Sequence, residues 1–309
     1  MILIPKKIDI ISVGGANIDL CATISEFPSI DEEVEIMKLE EFPGGSAANY
    51  IVGVARLGVN TGFIGKIGDD GYGQKLLDAF NRENVEVSQV QIEKKHTGMC
   101  LIPIDSAGNR IIFSFRGANA NLVPNDIDKN YIAQASLIHI TSPPLEVAKF
   151  VARIVKEKNI LLSYDPGGKV IRKGLDQLEP ILQNTDIFLP SKSELNLLFP
   201  NLRNLKTIAL NLVEKYGIRI IAIKLGAQGC LIVTKNEEVR VEGNNVNVVD
   251  TTGAGDAFAA AFTSGIQKGW GLSKCAQIAN AAGALCVTRI GARTALPTMS
   301  EIEIFLKNK

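Results

Sequence analysis

The sequence predicts an α/β fold: a doubly wound, mostly parallel sheet flanked by helices, with a small β-sheet lid. Three observations predict it. From position 137 onward, short apolar runs alternate with helix-length segments, the pattern of βα units whose strands are covered on both faces. Two earlier regions, within about 17–43 and 97–116, carry short alternating stretches, turn residues and no long helical period, as strands with one exposed face do. No repeat and no low-complexity linker divides the 309 residues, so they read as one domain carrying the lid.

The elements follow in order. Residues 8–13 are an apolar run ending in Gly14-Gly15 and read as a buried strand. After the first lid region, 47–57 has a helical period that stops near Gly58, and 61–67 returns to strand. Residues 71–82 are helical, with Leu76, Leu77, Ala79 and Phe80 on the apolar side. Residues 98–115 form a hairpin turned at Asp105-Ser-Ala-Gly108-Asn, expected to pair with the strands near 17–42. Strand 137–140, helix 145–158, strand 160–164, a helix near 174–183, strand 186–189, helix 191–199, helix 203–216 and strand 218–224 complete the alternation.

Bulk properties exclude several classes. Lys+Arg and Asp+Glu are 33 each, so the chain has no nucleic-acid footprint and no acidic tail. The 46% hydrophobic content suits a sizeable core. Five scattered cysteines without CxxC spacing, and only two histidines, read as reduced thiols in a cytoplasmic protein without a zinc site. The N-terminal segment places its lysines after the first apolar residues, the wrong order for a leader peptide, and no apolar run is long enough to span a membrane.

The chemistry concentrates in "VNVVDTTGAGDAFAAAF", 246–262. An apolar run meets a glycine turn, and Asp256 opens an Ala/Phe-rich helix. Glycines let successive N–H groups point into one concavity, and a helix start adds free N–H groups, which together suit phosphate oxygens. Asp256 there reads either as a helix cap or as a base accepting a hydroxyl proton. Its place at the end of a buried strand, where α/β proteins bind ligands, favours the base.

"DTTGAGDAFAAAF" resembles the C-terminal signature of the PfkB (ribokinase-like) family of carbohydrate and nucleoside kinases, and "PGGSAANYIVGVARLG" at 43–58 resembles its N-terminal signature. "VGGANIDL" at 13–20, "GDDGYG" at 68–73, "RGANANLVP" at 116–124, "KLGAQG" at 224–229 and "NAAGALCVTRIGARTALPT" at 280–298 extend the resemblance in order along the chain. The resemblance implies transfer of the γ-phosphoryl of ATP, with ADP open as donor, to a primary hydroxyl of a sugar. It implies Asp256 as general base and the amides of Gly253, Ala254 and Gly255 as anion hole. It implies Asn17, Asp19, Gly45 and Asn49 around the acceptor hydroxyls. On the nucleotide side it implies Lys224, Gly226, Gly229 and Asn280. It implies Glu194 for magnesium, through water, and Asp250 and Thr252 for a monovalent cation such as potassium.

Three positions depart from the resemblance. Ser191 stands where the NxxE motif has asparagine, Ser46 where ribokinases have lysine, and Thr141 where they have a ribose-binding glutamate. Ribose itself is thereby put in doubt, and a nucleoside, a sugar phosphate and a sugar acid stay open. Arg116, at the end of the hairpin, reads either as a grip on an anionic acceptor or as a lid-to-core salt bridge. The run Asp165-Pro-Gly-Gly favours no substrate. A dinucleotide-dependent oxidoreductase is disfavoured because Gly14-Gly15 opens no helix and no G-x-G-x-x-G follows. No Walker A sequence appears, and an intact Asp256 argues against a catalytically silent sugar-binding relative. The apolar face of the lid suggests a homodimer.

Overall fold

A computed structural model describes residues 8–202 and 204–308. The leader-peptide reading falls on residues outside this set, as does the predicted start of a helix at Arg203.

The nine strands of the main sheet are β1 (Ile10–Gly14), β4 (Thr61–Gly68), β5 (Glu86–Glu93), β8 (Leu137–Thr141), β9 (Leu161–Asp165), β10 (Ile187–Phe188), β11 (Ile220–Lys224), β12 (Cys230–Val233) and β13 (Glu238–Val241). They lie in the order β13-β12-β11-β10-β9-β8-β1-β4-β5. The seven strands from β11 to β5 pair in parallel, and β12 and β13 close one edge antiparallel. The interior strands are buried along their length because each face has its own core. In β1, Ile10 enters one core while Ile11 and Val13 enter the other, as the two-residue period of a strand requires.

The first core takes α1 (Ser46–Arg56), α2 (Gly71–Arg82), α9 (Ala254–Gln267), α10 (Leu272–Cys286) and α11 (Met299–Lys307). The second takes α3 (Lys129–Ile132), α4 (Leu145–Glu157), α6 (Leu175–Leu182), α7 (Lys192–Leu198) and α8 (Leu205–Tyr216). A short helix, α5 (Gly168–Ile171), follows β9.

A second sheet is separate from the first. It contains β2 (Asn17–Ile24), β3 (Ile36–Gly44), β6 (Gly98–Ile104) and β7 (Phe113–Phe115), ordered β3-β2-β6-β7. The hairpin at 98–115 pairs with β2 as expected, and that junction is parallel while the two outer pairs are antiparallel. Register fixes the faces: Asp19 lies opposite Phe42 and Cys100, and Leu20 opposite Glu41 and Leu101. Asn17, Asp19 and Cys21 therefore share one face. Leu20, Leu39, Leu101, Phe113 and Phe115 share the other.

β1 lies between β4, which follows it in the chain, and β8, which comes later. The order thus reverses beside β1, the place where open α/β sheets hold ligands beyond the carboxyl ends of their strands. The chain leaves that end of β1 directly into β2, which delivers Asn17 and Asp19 there. β9 and β11 end in Asp165 and Lys224 on the same side.

Candidate active site

α9 begins at Ala254 because Gly253 takes φ 83°, a left-handed conformation that glycine enters without strain. A side chain at Gly253 would also meet the backbone of Ala292 at 2.9 Å. Residues 257–265 of α9 are all buried, so the helix is locked between α1 and α10 and its first turn is fixed in the cleft. Asp256 sits in that first turn and accepts a hydrogen bond from Asn49 Nδ2 at 2.9 Å. Burial pushes its carboxyl up to about 7; the Asn49 bond and the Lys224 charge oppose the rise, and the carboxylates of Asp165 and Asp19 add to it.

Lys224 is partly buried at the end of β11, ion-paired to Asp165. Its ammonium lies 3.5 Å from where a side chain on Gly255 would begin. Burial alone would lower its proton affinity, but Asp165 and Glu194 hold it above the usual lysine range, so Lys224 stays charged. Asp165 is pushed upward by burial, against the pull of Lys224. A fixed cation therefore lies beside the 253–255 turn, in a site of low dielectric where it acts strongly.

Lys224, Gly226, Gly229 and Asn280 line one cavity of about 520 Å³ together with Ala254 and Gly255. Asn280 Nδ2 donates to the carbonyls of Val241 and Glu242, fastening α10 to the end of β13. A neighbouring cavity, also about 520 Å³, joins Lys224 and Gly255 to Glu194. Glu194 is buried, and its Oε2 accepts from Ser191 N and Oγ in a capping box.

Asp19, on β2, faces Asp256 closely enough for their charges to interact. It shares a smaller cavity with Cys21, Phe42, Arg110, Asp250 and Thr252. Its carboxylate rests against Gly44, where an added Cβ would come within 2.1 Å of Oδ2. Burial pushes Asp19 up to about 6, with Arg293 opposing. Asn17 is held by Asn119, whose Nδ2 donates to Asn17 Oδ1 at 2.7 Å and to the carbonyl of Ala16. Gly45 precedes α1 with φ 92°, and its carbonyl accepts from Asn49 N at 2.8 Å.

Asp250 and Thr252 meet an arginine. Arg110, from the β6–β7 turn, bonds Asp250 Oδ1 at 3.2 Å, Thr252 Oγ1 and Thr251 Oγ1. The other Asp250 oxygen accepts from Gly291 N at 3.0 Å. Arg116 donates to the carbonyl of Ser142 at 3.0 Å, so it ties the second sheet to the end of β8 by a hydrogen bond rather than a salt bridge. Among the described residues no cluster of three or more His, Cys, Asp or Glu is arranged for a metal.

Four participants were not singled out from the sequence for these roles: Asp165, Arg110, Asn119 and Arg293. Asn119 and Arg293 lie inside quoted motifs, but nothing local marks them. Asp165 was noted only as the start of an uninformative turn. Arg110 carries no signal, because its partners are 140 or more positions away.

The pattern of the pfkB family carbohydrate kinases matches residues 7–299. The chain belongs to that family. Within the pfkB family it is similar to an uncharacterized sugar kinase of Archaeoglobus fulgidus, 39% identical over 250 residues covering 80% of this chain and 98% of that one. It is also similar to an ATP-dependent ribose-1-phosphate kinase of Halopiger xanaduensis, 31% identical over 305 residues covering 97% and 98%. The structure superposes on Thermotoga maritima ribokinase with a TM-score of 0.89, 30% identity and coverage of 97% and 100%. Arabidopsis thaliana ribokinase complexed with ribose and ATP gives 0.88, 27% identity and coverage of 98% and 99%. This pfkB protein is a carbohydrate kinase with the doubly wound sheet and small second sheet expected from its sequence.

Proposed function

We propose that the chain, as one kinase domain over 1–309, transfers the γ-phosphoryl of ATP to a primary hydroxyl of a sugar. One observation carries the reading. A carboxylate, Asp256, and a partly buried ammonium, Lys224, flank a glycine turn that opens a buried helix. Asp256 accepts the hydroxyl proton as the sugar oxygen attacks, and its raised proton affinity makes it a better base than an ordinary aspartate. The N–H groups of Gly253, Ala254 and Gly255 and the ammonium of Lys224 stabilise charge on the transferring phosphoryl. Asn17, Asp19, Gly45 and Asn49 orient the acceptor, and the cavity bearing Gly226, Gly229 and Asn280 holds the nucleotide. ATP is favoured over ADP because relatives are named for ATP or contain it.

Magnesium fits beside Glu194, whose Oε1 is not used in the helix cap, with the buried Asp165 carboxylate nearby. Held there through water, it supplies charge neutralisation at the nucleotide phosphates. At Asp250, Oδ1 already accepts from Arg110, Thr252 N and Thr252 Oγ1, while Oδ2 accepts only from Gly291 N and keeps a lone pair that potassium could use. No step is assigned to it.

The second sheet acts as a lid over the acceptor and excludes water. Its outer face leaves Leu39, Leu101, Phe113 and Phe115 exposed, and a second copy of the chain would cover them in a homodimer. Unpaired cysteines throughout support a cytoplasmic, reducing location; no helix is long and apolar enough to cross a membrane. A second reading, an acceptor carrying a phosphate or carboxylate, is favoured by Arg110 and Arg116 at the lid-to-core junction.

The test is an acceptor screen with purified protein, using neutral sugars, sugar phosphates, sugar acids and nucleosides with ATP and with ADP. Nucleotide product that depends on a sugar-class acceptor supports the proposal. Turnover confined to nucleosides, or absent throughout, overturns it.

A further inference from the structure

Arg293 follows α10 and is buried, with 3% of its surface exposed. Nη2 donates to the carbonyl of Gly44 at 2.8 Å, and Nε donates to Asn49 Oδ1 at 3.4 Å. The guanidinium lies 5.0 Å over the ring of Phe80. Nη1 is buried without a hydrogen-bond partner among the described residues. The charged groups facing it are Asp19 of β2, Glu83 after α2, Arg56 at the end of α1 and Asp256 of α9. Glu83 is already taken, because Arg56 binds it with both Nε and Nη2. Arg293 thus has no committed carboxylate, and burial pushes its guanidinium down to about 10.

A buried cation without a paired anion costs several kcal/mol in general. The two bonds it makes are ones a neutral donor would serve as well. What a neutral donor would not supply is a charge facing Asp19 and, more weakly, Asp256. Asn49 gains something further. With Oδ1 bound by Arg293, its amide has one useful orientation, and Nδ2 must face Asp256.

We propose that Arg293 is a positioning residue for phosphoryl transfer: through Asn49 it orients Asp256, and through Gly44 it holds the strand end on which the Asp19 carboxylate rests. The inference rests on the proposed role of Asp256 as base. Asn49 then binds one oxygen of Asp256, Oδ2, and leaves Oδ1 for the acceptor hydroxyl. The charge of Arg293 favours the ionised forms of both aspartates. Other groups set the same balance: the charges of Asp165 and Lys224 face Asp256, Asp250 faces Asp19, and the neutral Cys100 thiol hydrogen-bonds Asp19.

The experiment measures kcat, both KM values and the pH dependence of kcat for Arg293→Met, Arg293→Lys, Asn49→Ala and the Arg293→Lys/Asn49→Ala double variant. Thermal melts establish that each is folded. Arg293→Met is expected to lose about 10- to 100-fold in kcat with nucleotide KM nearly unchanged. The acidic limb of its pH profile should move up, because a positive charge facing Asp256 is gone. Arg293→Lys restores the limb but not the full kcat, since lysine lacks the fork that holds Asn49. The double variant should be no worse than Asn49→Ala alone. An arginine serving only as structural glue would lower the melting temperature and leave kcat and the pH limb of the folded enzyme in place; that result overturns the proposal. If Arg293→Met does not fold, additive losses in the Arg293→Lys/Asn49→Ala cycle overturn it instead. Asp256→Asn, run alongside, separates the two levels. Turnover surviving there removes the base assignment, whereas full loss there with an unaffected Arg293→Met removes only the positioning role.

Discussion

Asn49 Nδ2 donates to Asp256 Oδ2 at 2.9 Å, joining residues 207 positions apart. The bond links the first turns of α1 and α9, the two helix starts that face the cleft. It anchors one oxygen of Asp256 and, under the proposed mechanism, leaves the other for the acceptor hydroxyl. A residue acting only as a helix cap would instead accept backbone N–H bonds of its own helix, and Gly253, not Asp256, occupies the cap position of α9.

Asp256→Asn keeps the shape and the contact with Asn49 but removes the base. Turnover should fall by about 10²- to 10⁴-fold, the usual contribution of general base catalysis. Nucleotide affinity, read by calorimetric titration, should change little. A kcat near wild type would remove Asp256 from the mechanism.

The acid side of the pH profile should report the same group. Asp256 has its carboxyl pushed up to about 7 by burial, and the base works only when deprotonated. Activity should therefore rise with pH through about 7 and be lost below it. A profile flat from pH 5 to pH 8 would contradict the assignment.

Stability should run the other way. The folded state holds the Asp256 proton up to about 7, the unfolded chain only to the ordinary aspartate value of 3.8. Protonation thus favours folding, and that contribution is fully present below the unfolded value and lost as pH rises through about 7. Asp256→Asn, which mimics the protonated form, should melt higher than wild type at pH 8. The gap should narrow toward pH 5, in a melting series across that range.

Asp19→Ala should raise the acceptor KM more than the nucleotide KM, because Asp19 shares the face of β2 with Asn17 and does not line the cavity containing Gly226 and Asn280. Steady-state kinetics with each substrate varied in turn decide it. A raised nucleotide KM with an unchanged acceptor KM would exchange the two sides of the site.

Arg110 is the bridge from the second sheet to the 250–252 turn. Arg110→Ala should loosen the proposed lid, raising acceptor KM and increasing nucleotide hydrolysis without acceptor relative to transfer. An unchanged ratio of hydrolysis to transfer would show that the bridge does not seal the site.

The sequence by itself determined the fold class and much of the site's inventory. Period-two and helical patterns are local, so helix 71–82 and the strands leading to Gly14, Asp165 and Lys224 were legible without tertiary information. Asp256 at a glycine turn before an apolar helix was legible for the same reason. α10 is hard to read in the sequence: its exposed polar residues, Ser273, Lys274 and Gln277, lie near its start, and from Ile278 onward it is buried or half-buried throughout, with little amphipathic period to detect. The short antiparallel strands β12 and β13 carry too few residues for a pattern. Only the tertiary structure decided the partners. Arg293 reaches Asn49 across 244 positions, Arg110 reaches Asp250 across 140, and Lys224 reaches Asp165 across 59. Those pairings depend on which strand and helix ends the sheet order brings together. A side chain's charge is written in the sequence, but the neighbour that gives the charge a task is chosen by the packing.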